Sequence, residues 1–215
     1  MTGRRGLFIT LDGPGAVGKT TALAELGSLL RQGGDTVHTT AEPSTSDLGK
    51  FVRANADHIR GRALACLVAA NRYEHIDVEL EPRLEAGETV VCDRYLASTL
   101  VLQQLDDVPV PFLLALNAGI LLPDLAVVLT AGPAVVAERL ARRGARHRYH
   151  LDPAFPAREV ALYAEAAHTL TTMGVRVLLL DTTTATPTDV ARRIADVVPS
   201  LTGSVGSHTR PDDHR

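Results

Sequence analysis

Hydrophobic and polar positions follow two rhythms along this chain. Short apolar runs at 7–12, Thr36–Thr40, Thr89–Cys92, Leu125–Leu129 and Val175–Leu180 have the length of strands. The runs at 89–92 and 125–129 are apolar throughout, as in parallel strands buried on both faces. Between the strands, apolar residues recur at helical spacing. Leu23, Leu26 and Leu30 share one face of a helix over 19–31. Further helical patterns cover about 60–86, 95–105, 110–120, 133–143 and 156–173, and Val190, Ile194 and Val197 mark a last helix. Gly33-Gly34-Asp35 stops the first helix, and Ser46 or Asp47 offers a helix cap. Pro82 predicts a kink in the long helix, which Gly87 ends. The alternation predicts an α/β fold: a five-stranded parallel sheet with helices on both faces. Residues 1–202 read as a single domain, and 203–215, which has no periodicity, as a disordered tail.

Composition narrows the functions. The chain has 215 residues, 45% hydrophobic and 22% charged, enough for one full core. A formal net charge of −3 argues against general nucleic-acid binding. Aromatics at 4%, with no Trp, argue against a base-stacking platform. No apolar run approaches the ~18 residues of a membrane span, so no membrane association and a cytoplasmic location are expected. Cys66 and Cys92 lack metal-ligand spacing and are expected as buried thiols in a reducing compartment.

The chemistry begins at Gly13-Pro-Gly-Ala-Val-Gly-Lys-Thr20, directly after the first strand. This fits the phosphate-binding loop G-x-x-x-x-G-K-[ST], which makes the fold one of the P-loop NTPase type. Its glycines allow backbone N–H groups to turn inward around phosphate oxygens, and the following helix adds its positive N-terminal end. Gly13, Gly15, Ala16, Val17, Gly18, Lys19, Thr20 and Thr21 are thus the expected ATP-binding set. Lys19 would reach the β/γ-phosphates and the Thr20 hydroxyl would ligate Mg²⁺. A plain Gly-rich turn is the alternative. A strand before and an amphipathic helix after weigh against it, as does the chain's having only two lysines, Lys19 and Lys50.

Three further constellations stand out. In Val90-Val-Cys-Asp93-Arg94-Tyr95 a buried strand ends in a carboxylate and a guanidinium, where a parallel sheet opens onto its ligand crevice. Asp93 could organise Mg²⁺ or its water, and Arg94 could grip an anionic acceptor through paired hydrogen bonds; a helix-capping Asp beside a surface Arg is the alternative. On the long helix, the apolar stripe of Leu64, Leu67 and Val68 continues on the same face as Asn71, Arg72 and His75, which suits either a pocket wall or a helix end emerging into solvent. Finally, Arg142-Arg-Gly-Ala-Arg-His-Arg-Tyr-His150 carries four Arg and two His. Such a run is a solvated loop, a nucleic-acid contact or an Arg-rich lid (about 143–153) that neutralises a transferring phosphoryl group.

Taken together, these stretches resemble the thymidylate kinases, a branch of the P-loop nucleoside monophosphate kinases. The resemblance covers about residues 6–200. It rests on Leu11–Thr21, Ala41-Glu42-Pro43, Ala69-Ala-Asn-Arg72-Tyr-Glu-His75, Asp93–Thr99, Leu121-Leu-Pro-Asp124-Leu and the basic segment. It implies Mg²⁺-dependent transfer of the γ-phosphoryl group of ATP to a pyrimidine nucleoside monophosphate, in a homodimer. By resemblance Lys19, Asp93, Arg94, Arg146 and Arg148 are catalytic and Arg139 borders the adenine with Asp181–Thr183. Thr20 and Asp93 attend the metal, and Asp12 sits near it. Asp12, Glu42, Val68, Arg72, Arg94, Thr99 and Leu102 form the acceptor side, with Arg94 on the acceptor phosphate and Arg72 on the base.

Several positions depart from the family pattern. An Asp that usually helps read the sugar hydroxyl is Gly15. The Phe that stacks on thymine is Val68. A Tyr or Phe closing the pocket near the sugar is Leu102, and the Arg often preceding Glu-Pro is Ala41. The expectation is therefore a thymidylate-kinase-like enzyme diverged at its acceptor positions, acting on dTMP or another, even modified, pyrimidine monophosphate. The competing readings are a kinase of an unphosphorylated nucleoside or small metabolite, with Asp12 or Glu42 as base, and a non-catalytic nucleotide-binding module.

Overall fold

The computed structural model describes residues 5–143, 152 and 154–199. Arg146, Arg148 and the tail at 203–215 lie outside the described residues. The strands are β1 (Phe8–Asp12), β2 (Val37–Ala41), β3 (Thr89–Asp93), β4 (Leu125–Thr130) and β5 (Val177–Asp181). They pair in the order β2-β3-β1-β4-β5, and every pairing is parallel.

The period-two geometry of the strands sorts side chains into two cores. Phe8, Val90, Cys92, Ala126 and Val128 face one side. There they meet Ala65 of α3 (Gly61–His75), Leu96 and Leu100 of α5 (Leu96–Leu102), Leu113 of α6 (Val110–Leu116) and Tyr163 of α8 (Phe155–Thr172). Ile9, Leu11, Val91, Leu125, Val127 and Leu129 face the other side. They pack on Leu23, Leu26 and Leu30 of α1 (Lys19–Gln32), Val136 of α7 (Pro133–Arg143) and Val190 and Ile194 of α9 (Pro187–Ala195). The fully apolar strands follow from burial on both faces.

After β1 the chain crosses to β2 at one edge, returns to β3, then continues to β4 and β5 on the far side. The loops leaving β1 and β3 therefore diverge from adjacent strand ends, with Leu11 paired to Asp93. A crevice opens there, at the point where the strand order reverses.

Of two local expectations, one is refined and one corrected. The helical pattern over about 60–86 is continuous from Gly61 to Glu85, but its irregularity is a π turn upstream of Pro82. α3 gives way to a π turn at Ile76–Leu80, where the Glu81 N–H bonds the Ile76 carbonyl, and then to α4 (Glu81–Glu85). Pro82 has no N–H to close an α-turn, and the irregularity falls upstream of it as an added residue. Cys66 is exposed rather than buried, because α3 turns Leu64, Ala65 and Ala69 inward; Cys92 is buried as expected. The cap expectation holds: the Ser46 hydroxyl accepts from the Gly49 N–H at the start of α2 (Asp47–Asn55).

Candidate active site

The glycine loop leaves the sheet at the end of β1 and delivers Lys19 to the first turn of α1. Gly13 has φ +146°, and a Cβ there would stand 2.3 Å from the Leu129 carbonyl oxygen of β4, so the loop passes the sheet only as glycine. Ala16 (φ +60°) and Arg94 (φ +72°) are L-residues held in the left-handed region, strain of a kind that concentrates at functional sites. Lys19 is buried, and its Nζ donates to the Gly13 and Pro14 carbonyls at 2.8 and 2.7 Å. Burial, and after it the Arg94 charge, lower its pKa to about 7 against the opposing pull of Asp93, Glu159 and Asp12.

Beside the loop lie oxygen ligands suited to a hard cation. The Thr20 hydroxyl donates to Asp93 Oδ2 at 2.8 Å. Asp12 Oδ1 accepts from the Tyr95 and Ser98 N–H groups at 2.9 Å each and from Ser98 Oγ at 2.7 Å. The other oxygens, Asp12 Oδ2 and Asp93 Oδ1, are buried without a hydrogen-bond partner among the described residues. Burial raises the Asp12 pKa despite its donors. Among the described residues no group of three or more His, Cys, Asp or Glu gathers as a metal cage. Two orphaned carboxylate oxygens beside a hydroxyl fit Mg²⁺, which takes one or two carboxylates plus substrate phosphates and waters. Asp12, expected on the acceptor side, does not line the cavity described next; it organises the start of α5.

That cavity, of about 110 Å³, opens beyond Arg94. Glu42, Val68, Arg72, Arg94, Thr99 and Leu102, all expected on the acceptor side, line it together with Tyr95 and Ser98. α3 supplies Val68 and Arg72 one turn apart, and α5 supplies Ser98, Thr99 and Leu102. The polar continuation of the α3 stripe is buried rather than emerging into solvent, since Asn71, Arg72 and His75 are each at most 1% exposed.

Arg72 is fixed on every side. Its Nε and Nη2 donate to Glu42 Oε2 at 2.9 and 2.6 Å, Nη2 to Thr99 Oγ1 at 2.8 Å and Nη1 to Asn117 Oδ1 at 2.8 Å. Its guanidinium carbon stands 4.8 Å from the centroid of the Tyr95 ring. Burial works against its charge, but the Glu42 carboxylate, joined by Tyr95 and Asp12, holds the pKa above the ordinary value. Behind Glu42 the polar contacts continue outward: His75 Nδ1 is 3.5 Å from Glu42 Oε1, His75 Nε2 is 2.9 Å from Thr40 Oγ1, and Glu79 lies 2.8 Å from His38. Asn71 anchors the loop after Glu42-Pro43, accepting from the Ser44 N–H and donating to Ser44 Oγ, both at 2.8 Å.

Arg94 is loosely held by comparison. Its Nη1 is 3.4 Å from Ser98 Oγ and 3.5 Å from Tyr163 OH, which leaves the guanidinium free to take an anion entering the cavity. Arg139 donates to the Thr182 and Thr183 carbonyls at 2.9 and 3.3 Å, on the far side of the loop, so it does meet the segment after β5. Sequence reasoning missed Asn117, Tyr163 and Glu159. Each arrives from a distant element, and no local motif marks it.

Comparison with known proteins shows what the whole chain is similar to. The family model described as thymidylate kinase matches residues 11–185. A thymidylate kinase of Deinococcus radiodurans is 42% identical over 148 residues, 65% of this chain and 72% of that protein. A probable thymidylate kinase of Caldivirga maquilingensis is 36% identical over 143 residues, 64% of this chain and 69% of that protein. The solved structure of the thymidylate kinase of Candida albicans superposes with a TM-score of 0.75 at 21% identity, covering 97% of this chain and 96% of that one, which speaks for the fold.

Proposed function

The chain belongs to the thymidylate kinase family, and on that premise we propose that it transfers the γ-phosphoryl group of ATP to dTMP or to another, even modified, pyrimidine monophosphate. Phosphorylation of a nucleoside monophosphate at the expense of ATP is the activity of the family; the breadth of the acceptor is our own reading. The observation that carries it is the cavity wall, where Val68 and Leu102 present aliphatic side chains beside the fixed Arg72. An aliphatic wall gives up stacking worth ~1–3 kcal/mol per base and relaxes the demand for one base.

In this reading the acceptor phosphate meets Arg94, and the base lies along Val68 and Arg72. Lys19 exchanges its bonds to the loop carbonyls for the donor's phosphates. An acceptor phosphate is already a nucleophile near neutral pH, so catalysis is positioning and charge neutralisation, with no strong base required. Thr20 and Asp93, with Asp12 behind them, would hold Mg²⁺, which when bound spreads the charge of the transferring group. Arg146 and Arg148 belong to the same proposal as lid arginines, and residues 1–202 as one kinase domain working as a homodimer in the cytoplasm. Among the described residues no helix is long and apolar enough to cross a membrane.

The test is acceptor-dependent ADP formation across dTMP, dUMP, dCMP, ribonucleoside monophosphates and unphosphorylated nucleosides. Turnover of dTMP together with at least one further pyrimidine monophosphate is expected. Efficient use of dTMP with rejection of all others would overturn the altered-acceptor reading, and turnover of nucleosides alone would overturn the monophosphate reading.

A further inference from the structure

One backbone donor of the phosphate loop already has an anionic partner from within the chain. Both carboxylate oxygens of Glu159, near the start of α8, accept from the Gly15 N–H, at 3.2 and 3.1 Å. Glu159 is only 2% exposed. Among the described residues the cations that act on it are Lys19 and Arg94, but Lys19 Nζ gives two hydrogen bonds to the loop carbonyls and Arg94 points to Ser98 and Tyr163. Burial raises the pKa of the Glu159 carboxyl, which makes no close ion pair among the described residues. The carboxylate therefore stands on the loop, within electrostatic reach of the cation expected to meet the donor's phosphates and of the one expected to meet the acceptor's.

We propose that Glu159 is an internal competitor for the phosphate loop, a carboxylate that must leave the Gly15 amide before a polyphosphate can settle there. Two anions cannot share one amide at about 3 Å in a buried site without strong repulsion. The loop's affinity for its ligand is then set partly by the cost of displacing Glu159, and the conformation of the first turns of α8 is linked to occupancy of the loop. This inference rests on the nucleotide-phosphate reading of the loop.

The experiment titrates wild type and Glu159→Gln with tripolyphosphate, ATP and adenosine by calorimetry at fixed salt. Gln keeps the shape and a carbonyl acceptor but removes the charge. The Kd for tripolyphosphate and for ATP is expected to fall on the order of tenfold, while that for adenosine stays unchanged. Unchanged or weaker polyphosphate binding overturns the proposal, as does an equal gain for adenosine, which would mean general reshaping. Glu159→Asp, which retracts the charge by one methylene, is expected to tighten polyphosphate binding by a smaller factor; no gain there also counts against competition. Should both variants fail to fold, the wild-type Glu159 side-chain carboxyl carbon, followed by NMR, is expected to shift on adding tripolyphosphate, and an unmoved resonance in the bound protein overturns the proposal. Failure of wild type to bind any polyphosphate would overturn the phosphate-loop reading along with it, whereas binding that Glu159→Gln leaves unimproved overturns this inference alone.

Discussion

The phosphate loop and the acceptor cavity adjoin at Arg94, yet they are built by different means. In the loop, Lys19 bonds carbonyls five and six residues away, and the shape comes from backbone angles at Gly13 and Gly18. In the cavity wall, the partners of Arg72 lie 27, 30 and 45 residues away, so the shape comes from a buried network of charges and amides. A backbone-built site can lose a side chain and keep its form. A network-built site cannot lose one member without stranding the others in a medium that penalises unpaired charge. The donor side should therefore fail in chemistry first, and the acceptor side in stability first.

The sharpest way to break this contrast is Glu42→Ala. It strands the Arg72 guanidinium, which is 1% exposed, and should destabilise the fold by about 3–5 kcal/mol in denaturant titration. A loss well under 1 kcal/mol would mean that the network relaxes and the contrast is false. Next comes Lys19→Ala, expected to lower turnover by ~10²-fold or more while the denaturation midpoint moves far less than for Glu42→Ala. Near-normal turnover in this variant would remove Lys19 from the mechanism.

Val68→Phe sharpens the acceptor side. A ring on the cavity wall should lower the KM for dTMP about tenfold and leave the KM for ATP unchanged. Equal binding of dTMP before and after would show that the base does not lie along this wall.

The smallest expected effect is one of pH. With the Lys19 pKa lowered to about 7, the protein free of nucleotide loses the lysine charge as pH rises through that value. If only the charged form grips phosphates, ATP affinity should weaken about tenfold between pH 6 and pH 8. Lys19→Arg, charged throughout, should flatten the profile. The stability sign runs the opposite way. Between about 7 and the ordinary 10.5 the unfolded chain binds more protons at Lys19 than the folded one, so this residue's contribution to stability improves as pH rises across that window.

Much of this architecture is legible in the sequence. Buried parallel strands announce themselves as unbroken apolar runs, and β3 and β4 lie where those runs are. The loop is legible because every residue that shapes it is contiguous. Val68 and Arg72 share a helical face that already suits a pocket wall, whereas Thr99 and Leu102 could be placed with them only through a family pattern, and the cavity does bring the four together. What stays hidden is whatever needs the third dimension. Asn117 follows a short helix, where its amide donates to the Leu113 carbonyl, and Glu159 lies on α8; nothing in the neighbouring sequence betrays their places beside Arg72 and Gly15. The exposure of Cys66 is hidden for a related reason: an apolar window says that a helix is buried, whereas the rotation of that helix decides which of its residues are.

The π turn at Ile76–Leu80 carries a consequence for how this chain is compared with others. In an unbroken α-helix a single added residue would rotate everything beyond it by about 100°, whereas the π turn absorbs that residue and keeps the two helical segments in phase. Upstream, α3 aims Val68 and Arg72 at the cavity; downstream, Leu80 and Leu84 are buried in the core. A homologue one residue shorter between Arg72 and Leu84 would hold both faces in place with an unbroken α-helix. An alignment gap within 76–80 therefore marks the loss of the absorbed residue, with the helical phase and the acceptor side kept, so positions on either side should be matched by the direction they face rather than by their count from Arg72.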